Sequence, residues 1–202
     1  MNVQKLPLAK VILASQSPRR VEILKQMGVD CEVFPADIDE SVLPGETPKK
    51  YVQRLAKQKA KTARQLINQK SIELQALPII AADTTVVLHH EILGKPENDA
   101  DAAQMLSKLS DTTHRVLTAV AIDFDGQTDV LLSNTKVTMM PMSNTQILSY
   151  IATGEHHGKA GSYGIQGSAA AWIKKIEGSY SGVMGLPIYE TACLLRKYTF
   201  YP

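Results

Sequence analysis

The chain has 202 residues, 44% of them hydrophobic, enough for one substantial domain or two small lobes around a shared cleft. A formal net charge of +2 excludes bulk attraction to nucleic acid or to an anionic membrane, so any polyanion must be met by a local cluster. Cys31 and Cys193 match neither a metal spacing nor a disulfide framework, no apolar run is long enough to span a bilayer, and the first residues lack the basic start, apolar centre and cleavage site of a signal peptide, which together point to a reduced, cytoplasmic setting.

Residues 11–13 are apolar and lead into Ala14-Ser15-Gln16-Ser17-Pro18-Arg19-Arg20, followed by Val21, Leu24 and Met27 at helical spacing. This predicts strand, turn and helix, with Ser17 as N-cap, Pro18 in the first helical position and Gly28 as terminator. Cations in a first helical turn are disfavoured by roughly 0.3–1 kcal/mol each. Arg19 and Arg20 there, beside the hydroxyls of Ser15 and Ser17, are therefore read as an anion site; a solvated basic helix start is the alternative.

Residues 31–35 read as a short strand, and 36–46 as an acidic loop whose Asp37, Asp39 and Glu40 are either solvated or metal ligands. Thr47-Pro48 opens a helix to about residue 68, with an apolar stripe through Val52, Leu55, Ala63 and Leu66. Lys59 falls inside that stripe whereas Lys57 and Lys61 fall outside it, so Lys59 either snorkels to water or points into a cleft to meet phosphate. Residues 78–88 form a nearly continuous apolar run, the pattern of a central strand covered on both faces. Asp83 interrupts it, and a buried carboxylate must be paired, hydrogen-bonded or metal-bound. His89-His90 reads as the turn of a hairpin whose return brings Lys95 within reach of Asp83; as a zinc site the His pair lacks partners at usable spacing.

A helix is expected over 99–109, then two β-rich runs at 114–124 and 130–140 joined through Asp125-Gly126. Ser143 and Gln146 form a capping box for a helix to about residue 153. Residues 158–167 are a glycine-rich loop that matches neither the P-loop nor the dinucleotide fingerprint. Residues 169–173 read as a strand, 178–187 as a flexible hydroxyl-rich loop and 187–197 as the last helix. Early alternation of strands and helices followed by a β-meander predicts an α/β fold with a mixed sheet.

Five ordered segments resemble the Maf family of nucleoside triphosphate pyrophosphatases: Leu-Ala-Ser-x-Ser-Pro-Arg-Arg at 13–20, Ala-Ala-Asp-Thr at 81–84, Gly-Lys-Pro at 94–96, Lys-Ala-Gly-Ser-Tyr-Gly-Ile-Gln-Gly at 159–167 and Gly-Ser-Tyr-Ser-Gly-Val-Met-Gly-Leu-Pro at 178–187. The resemblance spans about residues 10 to 197. It implies a single domain over 1–202 with an elongated mixed β-sheet, flanking helices and two lobes around a deep cleft, like the inosine triphosphatase-type fold. It implies hydrolysis of a nucleoside triphosphate to monophosphate and pyrophosphate with a divalent metal (Mg²⁺, Mn²⁺ or Co²⁺), and a homodimer.

Carried over position by position, the resemblance makes Asp83 the proton acceptor and, with Glu40, the metal ligand. It places Lys59 and Lys95 among the active-site charges, and Ser15, Ser17, Arg19 and Arg20 on the triphosphate. Thr84 and Gln166, with Arg20, match the specificity positions of the branch acting on dTTP and UTP; the branch acting on 7-methyl-GTP has Gln after the aspartate instead. The Gln166 amide offers the donor and acceptor that the O4/N3 edge of uracil or thymine requires. Asp83-Thr84-Thr85-Val86 matches an aspartyl-nucleophile phosphatase motif only in part, because Thr85 stands where a second aspartate is needed. A nucleotide-binding regulator would keep Arg19 and Arg20 without needing Asp83 or Lys95.

Overall fold

The computed structural model describes residues 9–70 and 72–202. The expectation concerning the first residues lies outside them, apart from residue 9. The chain opens with β1 (Lys10–Leu13), α1 (Pro18–Gln26) and β2 (Asp30–Val33), and β2 lies parallel to β1. α1 stops at Gly28 through bonds from the Gly28 and Val29 N–H groups to the carbonyls of Lys25 and Leu24, the pattern expected of a glycine-terminated helix. Ser17 occupies the N-cap but makes no side-chain capping bond.

α2 (Pro48–Lys70) buries Val52, Leu55, Ala56, Ala60, Ala63 and Ile67. α3 (Ile72–Gln75) follows, a single helical turn in a stretch that reads from the sequence as a loop. The spine of the sheet is β3 (Ile79–Leu88), whose residues are all buried except half-buried Thr84, as the apolar run predicts. Then come β4 (Glu91–Leu93), α4 (Asp99–Leu109), β5 (Thr113–Phe124), β6 (Gln127–Met139) and α5 (Asn144–Ile151), the last with its capping box formed. Two corrections fall in the C-terminal part. Residues 168–172 form a 3-10 turn and β7 (Ile173–Glu177) begins where the predicted strand ends. The loop expected at 178–187 contains a one-turn helix, α6 (Tyr180–Met184), capped by Ser179. α7 (Ile188–Lys197) closes the fold.

The seven strands form one mixed sheet in the order β2-β1-β3-β5-β6-β7, with β4 on the far end of β3. β1 and β3 are parallel; β3, β5, β6 and β7 are successively antiparallel. The sheet is split along one edge of β3. β1 pairs with Ile79 and Ile80, and β4 takes over only at Val86. Between these two neighbours β3 has a strand partner on one side only, β5. The bare stretch contains Asp83 and Thr84, and the chain leaving β1 turns into α1 at the same place. A cleft opens there because neither neighbour covers the strand.

Side chains alternate across a strand. On one face of the sheet, Ile12, Ile79, Ala81, Ala119 and Ala121 pack under α2. On the other, Val11, Leu13, Ile80, Ala82, Val120 and Ile122 pack under α1 and α7. A third cluster joins Val86, Leu88, Val116, Val137 and Met139 to α4 and α5, which makes the second lobe. By this alternation Asp83 belongs to the α2 face and Thr84 to the α1 face, so one bare strand serves both walls of the cleft.

Candidate active site

The cleft encloses about 860 Å³ and is lined by Ser15, Arg19, Arg20, Glu40, Lys59, Asp83, Thr84, Lys95 and Gln166 among others. Ser17 lines it as well. The structure thus gathers these residues into one cavity; Asp37 of the acidic loop lines it too, whereas Asp39 does not and instead accepts from the Ser41 N–H and hydroxyl.

On the α1 wall the Arg20 guanidinium is fixed by three neutral acceptors. Its Nε donates to the Gly185 carbonyl (2.8 Å), Nη1 to Ser15 Oγ (2.9 Å) and Nη2 to Thr84 Oγ1 (3.5 Å). Arg19 Nε donates to the Met184 carbonyl (3.4 Å). Burial pulls the Arg20 guanidinium below its usual range and Arg19 adds to this, while the charges of Asp83 and Glu40 oppose it. A cation held by carbonyls and hydroxyls, with no carboxylate in contact, leaves its charge for a ligand. Ser15 Oγ accepts from both Arg20 and the Ser17 N–H (3.2 Å), so its own proton is free to donate into the cleft. The expected backbone cradle is narrower than the sequence implies. Pro18 has no N–H, and the N–H groups of Arg20 and Val21 go to the Ser17 carbonyl. Side chains carry this wall.

Thr118, on β5 opposite Thr84, was not singled out by the sequence reading. Its hydroxyl lies 2.7 Å from the Gly182 carbonyl and 3.0 Å from Thr84 Oγ1. A carbonyl only accepts, so the Thr118 proton goes to Gly182 and Thr84 donates to Thr118, turning a lone pair to Arg20. The sign in the sequence was a hydroxyl inside an apolar strand, the same signal that marked Asp83.

The α2 wall is an alternating chain of charge. Lys59 Nζ lies 2.6 Å from Glu40 Oε1 and 2.7 Å from Asp83 Oδ1, and Lys95 Nζ lies 3.5 Å from Glu40 Oε2. Asp83 is 7% exposed and the Lys59 side chain 12%. Of the two readings for Lys59, the one aimed into a cleft is the one found. Lys95, expected to approach Asp83, meets Glu40. Burial pushes the Glu40 carboxyl up, but hydrogen bonding and charge from Lys59, then Lys95, outweigh it and hold the group below its usual value.

Glu40 stands on a loop secured to α2. The Tyr51 hydroxyl donates to the Glu40 carbonyl (2.9 Å). Arg54 grips both oxygens of Glu46 (2.7 and 2.8 Å) and donates to the Ser41 carbonyl (2.8 Å). Burial, then Asp83 and Glu40, push the Tyr51 hydroxyl up to about 12, so it stays a donor. The sequence reading missed Tyr51, although Tyr51, Leu55 and Lys59 recur every fourth residue on one helix face.

The third wall is the loop over residues 158–167. The Gly161 N–H donates to the Gly94 carbonyl (3.0 Å), next to Lys95. Gly161 has φ +67°, and a Cβ there would lie 2.9 Å from Val86 Cγ2, so only glycine fits. Lys159 also lines the cleft and donates to the Glu155 carbonyl; burial, then Arg19, pull its ammonium below the usual range.

Asp83 and Glu40 are hard oxygen donors whose oxygens Lys59 and Lys95 share. Two carboxylates completed by water and phosphate oxygens are the usual holding for Mg²⁺ or Mn²⁺, and Asp83 Oδ2 makes no hydrogen bond among the described residues. The donor set therefore suits such an ion arriving with an anionic substrate.

A family model described as Maf-like protein matches residues 10–198. A curated relative from Pseudoalteromonas atlantica, named dTTP/UTP pyrophosphatase, is 50% identical over 93% of this chain and 96% of its own. Another of the same name, from Methylobacillus flagellatus, is 49% identical over 94% and 93%. Among solved structures, the Staphylococcus aureus Ham1 protein aligns over 64% of this chain and 71% of its own, at 18% identity and a TM-score of 0.46. The chain belongs to the Maf family.

Proposed function

We propose that this protein is a nucleoside triphosphate pyrophosphatase acting on dTTP and UTP, and on pyrimidine triphosphates modified on the base, working as a single domain. The observation that carries the reading is the pairing of the two walls. A desolvated arginine without a carboxylate partner faces the same cavity as a carboxylate–lysine–carboxylate chain. The volume is that of a small-molecule pocket, suiting a nucleotide better than a polynucleotide.

In this reading Arg19, Arg20, Lys95 and the free Ser15 proton bind the triphosphate, and Ser17 adds a second hydroxyl. Lys59 bridges the two carboxylates and, with Lys95, holds the Glu40 carboxyl below its usual value, so Glu40 is charged at neutral pH. Asp83 accepts the proton of the water that attacks the α-phosphorus, and pyrophosphate leaves. Charge growing on the phosphate oxygens is offset by Lys59, Lys95 and the two arginines. A divalent ion on Asp83 and Glu40 supplies further charge stabilisation when bound. Thr84, oriented by Thr118, and Gln166 read the base, the Gln166 amide matching the O4/N3 edge. A homodimer and a cytoplasmic setting belong to the same proposal; among the described residues no helix is long and apolar enough to cross a membrane.

The test is pyrophosphate release from dTTP, UTP, 5-methyl-UTP, CTP, GTP and 7-methyl-GTP, with Mg²⁺, with Mn²⁺ and with chelator. Metal-dependent turnover of dTTP and UTP above the rest is expected. Turnover confined to 7-methyl-GTP would overturn the substrate assignment. Binding without turnover would make the protein a nucleotide sensor. Asp83→Asn is expected to lose about 10²–10⁴-fold in kcat, the usual worth of a general base. Full activity in that variant would remove Asp83 from its role.

A further inference from the structure

Away from the two carboxylates of the α2 wall, the fold brings together a second group of ligand-type side chains. Asp99 is the first residue of α4, while His156 and His157 stand on the turn after α5. One donor atom from each residue lies within 4.8 Å of the other two. It is the only group of three or more metal-ligand side chains found among the described residues. We propose that Asp99, His156 and His157 form a binding site for a divalent transition-metal ion beside the cleft.

Three observations converge. His156 is 1% exposed, and its Nε2 lies 3.0 Å from Asp99 Oδ1. Its Nδ1 is buried with no hydrogen-bond partner. Among the described residues the ring's polar contact is thus with Asp99 alone, and Nε2 is the nitrogen that an ion shared with Asp99 would take. The imidazole of His157 lies against it, with ring centroids 4.0 Å apart and planes tilted by 43°. Both carriers are rigid. Asn98 caps α4 by accepting from the Asp101 N–H (2.9 Å). The histidine turn is closed by bonds from Gly154 N–H to the Ile151 carbonyl (2.9 Å), His157 N–H to Gly154 (3.2 Å) and Lys159 N–H to His156 (3.3 Å). The ammonium of Lys159, the cation on the same turn, is engaged by the Glu155 carbonyl.

Two imidazoles and a carboxylate select Zn²⁺, Co²⁺ or Ni²⁺ over Mg²⁺, whereas Asp83 and Glu40 offer oxygen alone. Three protein ligands leave a coordination position for water or a ligand oxygen. His157 also lines the cleft, so the ion stands at its wall. The two sites differ in donor chemistry, and this lets them be assigned separately, whatever the fate of the proposed reaction.

The experiment is a Co²⁺ titration of the whole protein in excess Mg²⁺, followed by calorimetry and by the visible absorption of the bound ion. One Co²⁺ with nitrogen ligation is expected per chain. His157→Gln and Asp99→Asn should each weaken it about tenfold or more without loss of the folded state, checked by thermal unfolding. Both residues are exposed enough to be replaced where His156 is not. Absence of Co²⁺ binding by the unaltered protein overturns the proposal, as does an unchanged titration in both variants, which would reduce His156 and Asp99 to a structural pair.

Discussion

Lys59 shows how one side chain ties two others together and sets the charge of one of them. Its ammonium is shared by Glu40 and Asp83 at 2.6 and 2.7 Å, in a place where burial alone would drive a carboxyl towards its neutral form. For Glu40 the sign is explicit: burial raises it, Lys59 lowers it most and Lys95 adds to the lowering. Replacing Lys59 by Met removes the larger lowering influence and leaves the burial. The Glu40 carboxyl then rises, and the acid limb of the kcat/KM profile moves to higher pH. Lys59→Arg keeps the charge and should keep the limb. In Lys59→Met a fall in kcat/KM of about 10²-fold at neutral pH is expected, within the range for disabling a general base. A pH–rate profile of the two variants checks this. An acid limb left in place by Met would mean that Lys59 does not govern the ionisation used in turnover.

The elements were legible wherever one local signal fixed them. Caps, helical stripes and the Asp125-Gly126 turn, with φ of +49° and +73°, place α1, α2, α4, α5 and the β5–β6 hairpin close to where periodicity puts them. The reading failed at 168–177 for a physical reason. A register shift between Thr138 and Met139 sets Ile176 opposite Val137 and Ile173 opposite Met139, so both face the same way although three residues apart. Alternation is hidden by that bulge, and the apolar Ala169-Ala170-Ala171 stood out instead. The site was legible as a set of residues and illegible as an arrangement. Nothing local says that an ammonium at 59 lies between carboxylates at 40 and 83, or that Tyr51 and Arg54 hold the loop of Glu40. Likewise, Asp99 and His156 are 57 positions apart. The loop at 158–167 offers a test at this scale. Gly161→Ala introduces a Cβ 2.9 Å from Val86 Cγ2 at a φ of +67°, so the loop or β3 must shift. A destabilisation of about 1–3 kcal/mol is expected, seen as a fall in Tm of several degrees. An unchanged Tm would mean that the Gly94–Gly161 junction is not what holds the third wall.

At the scale of the whole molecule, the cleft depends on two lobes holding one split sheet, and His114 lies where they meet. It stands on β5, 1% exposed, with Nε2 2.7 Å from the Tyr163 hydroxyl on the cleft loop. Its Nδ1 has no partner, and burial pushes the imidazole down from 6.5 to about 4. The same burial, together with Tyr150, pushes the Tyr163 hydroxyl up, so the pair is neutral and Tyr163 keeps its proton. The linkage follows from proton counting. Between pH 6.5 and about 4 the unfolded chain holds a proton on His114 that the folded chain refuses. The unfolded state therefore gains as pH falls. This contribution is fully present above pH 6.5 and is lost progressively towards pH 4, amounting to about 3 kcal/mol across the window. The Glu40 carboxyl, held below its usual value by Lys59 and Lys95, also loses stabilisation as pH falls, so the fall in the unaltered protein alone does not isolate the histidine. His114→Gln does isolate it, because glutamine can still bond to Tyr163 and carries no titrating group. Urea unfolding of both proteins at pH 7 and pH 4 should give a smaller loss in the variant, by about 3 kcal/mol. Equal losses would assign the acid sensitivity to the charge chain of the α2 wall and leave His114 as a packing residue between the lobes.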